Sequence, residues 1–143
     1  MDSRGASVLT DFVIDASATM VLVMDDEPEG PVMPIVHALA AGDPLVPMLW
    51  DFEVASALML ARRTGRLDDE ELARSMHTIG VMGCERDREP PDIALLIATA
   101  DAHGLTAYDA SYLALALRRG VPLATVDRAL VRAAGECGVP LVC

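Results

Sequence analysis

Short apolar runs alternate along this chain with longer stretches in which apolar residues recur at helical spacing. Phe12-Val13-Ile14 is β-prone, apolar throughout and ends on Asp15, the pattern of a strand buried on both faces. A helical pattern follows to about Met24, broken by the run Asp25 to Pro31. Val32 to Ala41 reads as a second helix closed by Gly42, and Leu45 to Pro47 as a second strand. Trp50 onward, through Val54, Leu58 and Ala61, returns to helical spacing that stops near Gly65. The acid-first turn Asp68 to Glu71 opens a helix to about Thr78. Gly80 to Pro91 is irregular, with room for a short strand. Asp92 to His103 and Asp109 to Arg119 predict two helices capped by Gly104 and Gly120. Pro122 to Val126 reads as a strand, Asp127 to Glu136 as a helix and Val139 to Val142 as a last strand. Short apolar strands alternating with helices predict an α/β sandwich around a parallel sheet.

Composition narrows the class. The chain has 143 residues, 52% of them hydrophobic and 23% charged, which suits one domain, 1–143, with residues 1–11 as a flexible N-terminal extension. Polar residues interrupt every apolar stretch well before the roughly 20 residues a membrane helix needs. Arg4 is followed by no long apolar segment, so no signal peptide is predicted and the expected compartment is the cytoplasm. Cys84, Cys137 and Cys143 lack paired spacing, which argues against a disulfide scaffold or structural zinc. The net charge is −11, and all 11 basic residues are Arg. The lack of Lys excludes a Walker A site, a Schiff-base lysine and a receiver-domain lysine. The acidic balance argues against nucleic-acid binding by a broad basic face, because that attraction depends on basic side chains displacing counterions.

In parallel α/β sheets the ligand site lies beyond the carboxyl ends of the strands. That rule selects a few acids from the 22. Asp15 ends the first strand, Glu53 lies in the first helical turn after the second, and Asp127 follows Thr125-Val126 at the end of a later one. Asp109 joins the same edge if the turn before its helix returns there. Carboxylates crowded together stay ionised only with positive charge among them, and oxygen donors without clustered Cys or His favour Mg²⁺ or Mn²⁺. Such a cation lowers the pKa of bound water and offsets charge on a phosphodiester's leaving oxygen. Each acid alone also reads structurally: Asp109 and Asp127 as helix N-caps, Asp15 as a cap for the helix at Ser17, Glu53 as a first-turn dipole partner.

The residues Phe12-Val13-Ile14-Asp15-Ala16-Ser17, Val46-Pro47 to Trp50 with Glu53 to Leu58, Leu105 to Ala116, and Leu123 to Leu130 occur in an order and spacing that resembles the PIN-domain ribonucleases. The likeness is greatest to the VapC-type toxins of bacterial and archaeal toxin–antitoxin pairs and spans about residues 12 to 142. It implies a three-layer α/β/α sandwich with sheet order 3-2-1-4-5. It also implies a metal-dependent endoribonuclease site of Asp15, Glu53, Asp109 and Asp127, with Asp15 and Asp109 as direct Mg²⁺ or Mn²⁺ ligands. Glu53 and Asp127 would ligate a metal, hold its waters or activate the attacking water, and Ser17 and Thr125 would lend hydroxyls. Hydrolysis would leave 5′-phosphate and 3′-hydroxyl ends. A homodimer and a small antitoxin whose tail occludes the acids are the implied protein partners.

The chain departs from the family pattern at Ser56, where Asn is common three residues after the Glu, and an altered orientation of Glu53 is expected. Six arginines fall between Arg62 and Arg88, in a stretch, 62–92, that also holds eight acids. They read either as solvated helix faces or, for Arg62, Arg63 and Arg66, as contacts to RNA phosphates. Trp50 and Tyr112 read as packing residues near the site, the methionines as adaptable filler, and His37, His77 and His103 as scattered surface residues. Two alternatives stay open: a catalytically quiet PIN-like binding module, and a PIN nuclease acting in RNA processing outside a toxin–antitoxin pair. A haloacid-dehalogenase-type phosphatase is disfavoured by Ala16-Ser17 where a second Asp should follow, and a dinucleotide-binding domain by the lack of GxGxxG.

Overall fold

A computed structural model of the protein describes residues 11–24 and 32–142. The expected N-terminal extension, apart from Asp11, and the helix-breaking run from Asp25 to Pro31 lie outside the described residues, as does Cys143. Asp11 itself accepts the Asp43 amide at 3.0 Å.

The described chain runs β1 (Phe12–Ile14), α1 (Ala16–Met24), α2 (Val32–Ala41), β2 (Pro44–Pro47), α3 (Trp50–Arg63), α4 (Asp69–Met82), β3 (Glu85–Asp87), α5 (Ile93–His103), α6 (Ala107–Arg119), β4 (Leu123–Ala124) and α7 (Arg128–Cys137). The four strands form one parallel sheet in the order β3-β2-β1-β4. Val13 sits at the centre, in register with Leu45 on one side and Leu123 on the other. Beyond β4 the expected fifth strand shrinks to one parallel bridge between Leu123 and Leu141. The order is thus the expected 3-2-1-4 with the fifth position marked by a single residue. The Leu123 and Val142 amides complete that edge through the carbonyls of Pro140 and Leu123.

Each residue of β1 and β2 is buried, which requires helices on both faces. On one side α6 lies across β1, β2 and β4, burying Ala110, Leu113 and Ala116, with α5 and α7 packed against it. On the other, α1 touches α2, α3 and α4 in turn. The buried hydroxyl of Ser75 on α4 donates to the Val23 carbonyl at the end of α1. No helix among the described residues is long and apolar enough to cross a membrane.

Several boundaries differ from the expectation for local physical reasons. Helix α4 continues to Met82, past Gly80, because Asp68 and Glu71 close a reciprocal capping box at its start and Ile79 and Met82 pack on the core at its end. Strand β3 is Glu-Arg-Asp, a charged edge strand whose pairing with β2 leaves no apolar periodicity to read. Helix α6 begins at Ala107, two residues before Asp109, because the Thr106 hydroxyl caps it by accepting the Asp109 amide at 3.1 Å.

One buried polar chain ties the end of β1 to α3. Trp50, 1% exposed, donates its indole N–H to Thr19 Oγ1 at 3.0 Å, and the Thr19 hydroxyl donates to the Asp15 carbonyl at 2.7 Å. Thr19→Val keeps the shape but strands the indole donor inside the core. A loss of about 1–3 kcal/mol is expected, measurable by urea denaturation against the parent.

Candidate active site

At the carboxyl edge the first side chain to be placed is Asp15, immediately after β1 and only 3% exposed. Its Oδ1 accepts the Ala18 amide at 2.8 Å, so it caps α1, and it also accepts the Ser17 hydroxyl at 2.8 Å. Its Oδ2 accepts the Thr125 hydroxyl at 2.5 Å. The two hydroxyls are in turn fixed by backbone: Ser17 Oγ accepts the Val126 amide and Thr125 Oγ1 the Asp127 amide, each at 3.0 Å. Each hydroxyl therefore donates into Asp15 and accepts from the segment after β4, which locks the two strand ends together. Burial nonetheless pushes the Asp15 carboxyl above its usual range; the hydrogen bonds oppose that shift and the nearby Asp127 charge adds to it.

Asp127 is the N-cap of α7, its Oδ1 accepting the Ala129 and Leu130 amides at 2.8 and 3.3 Å, and none of these bonds involves Oδ2. Asp109 follows the opposite logic. Because Thr106 caps α6, the Asp109 carboxylate in the first turn has no capping duty. Its pKa is pushed up to about 6, first by burial and then by the negative charges of Asp127, Glu53 and Asp15. That repulsion couples Asp109 to the other three acids of this edge. Glu53, in the first turn of α3, accepts the Tyr112 hydroxyl on Oε1 at 2.7 Å.

The orienting contact on Glu53 thus comes from Tyr112, a core residue of α6, and not from Ser56, which is exposed and makes no side-chain hydrogen bond among the described residues. The sequence marks Tyr112 as a packing residue near the site or an RNA contact, not as a support for Glu53; its position one helical turn after Asp109, on the same face, is the available signal. Arg62 and Arg63 stand at the far end of α3, nine and ten residues or roughly 14 Å along the axis from Glu53. Arg62 forms an ion pair with Asp69. Arg66 lies just past the helix end and is exposed. Arg86 is held in a fork by Asp51 and stacks over Trp50, and Arg74 pairs with Glu70. Away from this edge, His103 is partnered on both ring nitrogens, by Glu136 at 2.7 Å and Cys137 at 3.2 Å.

The donor set suits a hard divalent cation: carboxylate oxygens, one of them deeply buried with only neutral groups bonded to it, and no thiolate or imidazole among them. Among the described residues no three such side chains are already at ligand spacing. Mg²⁺ commonly keeps several waters and takes only one or two protein carboxylates, which this edge can supply.

The PIN domain profile matches residues 12–136 of the chain. Among solved structures the chain is similar to the crystal structure of PAE2754 from Pyrobaculum aerophilum, with 26% sequence identity and a TM-score of 0.68. The match covers 97% of this chain and 88% of that one. No curated protein matches the sequence.

The charge crowding has a measurable sign. In the unfolded chain Asp109 loses its proton near pH 4, whereas in the folded protein it keeps it to about pH 6. The folded state holds the extra proton across that window, so its stability falls as pH rises through it. Without divalent cations, Asp109→Asn is expected to melt above the parent at pH 7.5, with the gap closing toward pH 4. Thermal melts of both proteins across that range check it; parallel curves would contradict it.

Proposed function

This chain belongs to the PIN domain family, whose members are generally nucleases, and from that premise we propose that it is an Mg²⁺- or Mn²⁺-dependent endoribonuclease acting as the toxin of a toxin–antitoxin pair. The observation that carries the enzymatic reading is that Asp109 is held partly protonated by burial and then by the negative charges of Asp127, Glu53 and Asp15, which couples the four acids at the carboxyl edge.

Asp15 and Asp109 would hold the cation, with Glu53 and Asp127 completing the site directly or through waters. A cation bound there supplies a more acidic water and offsets charge on the scissile phosphate. Within the chain, Ser17 and Thr125 hold the Asp15 carboxylate in one rotamer, and the α1 amide at Ala18 fixes its Oδ1. Tyr112 occupies Glu53 Oε1, so Oε2 is the oxygen positioned to take the proton of the attacking water. The Oδ2 of Asp127, which its capping bonds leave unused, would share that task. Attack of that water on phosphorus breaks the P–O3′ bond, and a solvent water protonates the leaving 3′-oxygen while the acid returns its proton to solvent, which gives 5′-phosphate and 3′-hydroxyl ends.

Arg62, Arg63 and Arg66 would contact phosphates of the same RNA farther along the strand. Arg62 can exchange its exposed Asp69 partner for phosphate at little cost, since surface ion pairs contribute little. The toxin role, the small cognate antitoxin and a homodimer rest on the resemblance in sequence. Exposed Met59, Leu60, Met76 and Val81 on α3 and α4 offer apolar surface for such protein contacts. The single-domain extent of 1–143 and a cytoplasmic location belong to the same proposal.

Cleavage of labelled RNA with Mg²⁺ or Mn²⁺ tests the reading. Asp15→Asn or Asp109→Asn, purified and folded, should lose on the order of a hundredfold or more in rate. Ser17→Ala, which loosens Asp15 without removing it, should lose about ten- to a hundredfold. Parental rates in either Asn variant would overturn this assignment of the site, and a parent that does not cleave RNA would leave the chain a catalytically quiet member of its family.

A further inference from the structure

The chain has five aromatic residues, and their exposure divides sharply. Phe12, Trp50 and Tyr112 are each 1% exposed, while Phe52 is 76% and Tyr108 62% exposed. Both exposed rings line one cleft of about 540 Å³ between the start of α3, α5 and the start of α6. Each also immediately precedes an acid of the candidate site: Phe52 before Glu53, Tyr108 before Asp109, in the first turns of α3 and α6. Consecutive Cα atoms lie 3.8 Å apart, so the first turns of α3 and α6 carry the cleft's rings and the acids side by side, on helix faces about 100° apart.

The chemistry of the cleft selects among occupants. Its floor is apolar, with Met48 and Leu95 exposed beside the rings. Its rim is acidic, with Asp87 and Glu89 drawn onto Arg118 and Asp92 capping α5. A phosphate would meet carboxylates there and no uncommitted cation. A nucleobase is flat, neutral and rich in N–H donors: it stacks on aromatic faces and offers those donors to carboxylate acceptors.

We propose that this cleft receives an unpaired nucleobase of the RNA strand, stacked on Phe52 and Tyr108, beside the phosphodiester presented to Asp15, Glu53, Asp109 and Asp127. Phe52 and Tyr108 are then specificity-determining residues. They favour strands whose bases can turn outward, because the faces of paired bases are hidden within the helix stack. This rests on the nuclease reading above and adds to it the part of the RNA that the chain grips.

The test uses the Asp15→Asn protein with Mg²⁺ and a single-stranded RNA carrying 2-aminopurine, whose fluorescence falls when it stacks. Binding should quench the probe. Phe52→Leu or Tyr108→Leu, which keep an apolar side chain but remove the ring, should each weaken binding about tenfold and relieve the quench. Tyr108→Phe should restore both. Unchanged affinity in the Leu variants, with RNA still bound and cleaved in the Asp15 background, overturns the cleft's role and leaves the nuclease reading intact. A protein that neither binds nor cleaves RNA overturns both. A dimer in light scattering that Phe52→Asp dissociates, with RNA affinity unchanged, overturns the proposal by assigning the cleft to a second copy.

Discussion

The rest of the site depends on one buried carboxylate. Asp15 sits at the end of the central strand, 3% exposed, and every group bonded to it is neutral. Keeping a carboxylate in such a place is costly unless its lone pairs are filled, and the fold fills them from two directions. Ser17 and the Ala18 amide come from its own helix, and Thr125 from the strand next to it. Because the same two hydroxyls accept the Val126 and Asp127 amides, satisfying Asp15 also fixes the loop that carries Asp127. A second polar chain, from the Trp50 indole through Thr19 to the Asp15 carbonyl, ties α3, and with it Glu53, to the same point. Support of the strand end and assembly of the acids are the same set of bonds.

What these bonds do not supply is positive charge. Asp109 registers the deficit, its pKa raised to about 6 by burial and by the three neighbouring acids. A fold that places four acids at one edge, and pairs Arg62, Arg74, Arg86 and Arg118 with Asp69, Glu70, Asp51, Asp87 and Glu89 elsewhere, favours a cation from outside to neutralise that edge. The net charge of −11 has the same meaning locally: a bound cation reverses the sign where phosphate must approach. The apolar cleft beside the edge handles the part of a nucleotide that carries no charge.

Much of this was legible in the sequence because β1, β2 and β4 are short, apolar throughout and followed closely by acids. The expected strand at Phe12 to Ile14, the helix from Trp50, and the Gly104 and Gly120 caps follow from local pattern alone. The Ser17 and Thr125 hydroxyls lie beside the acids in sequence and beside them in space. What was hidden depends on distant pairing. Strand β3 has no apolar residue, and the last strand is a single bridge. The Tyr112 hydroxyl reaches Glu53 across 59 residues, so the support for that acid could not be read from Ser56, its neighbour on the helix. The arginines between Arg62 and Arg88 looked like one patch on the chain, yet three of them are taken up by Asp69, Glu70 and Asp51. Asp109 as a helix cap was the reading that local rules favoured; Thr106, three residues earlier, does that work and releases the acid.

The central claim is that the acidic edge is a cation site in a folded protein otherwise short of local positive charge. Thermal melting of the parent and of Asp15→Asn in rising Mn²⁺ tests it most directly. The parent should gain stability with the logarithm of Mn²⁺ concentration, by about 2.7 kcal/mol at a hundred times the dissociation constant, while the variant gains little. A parent whose melting does not respond to Mn²⁺, or a variant that responds equally, would contradict it.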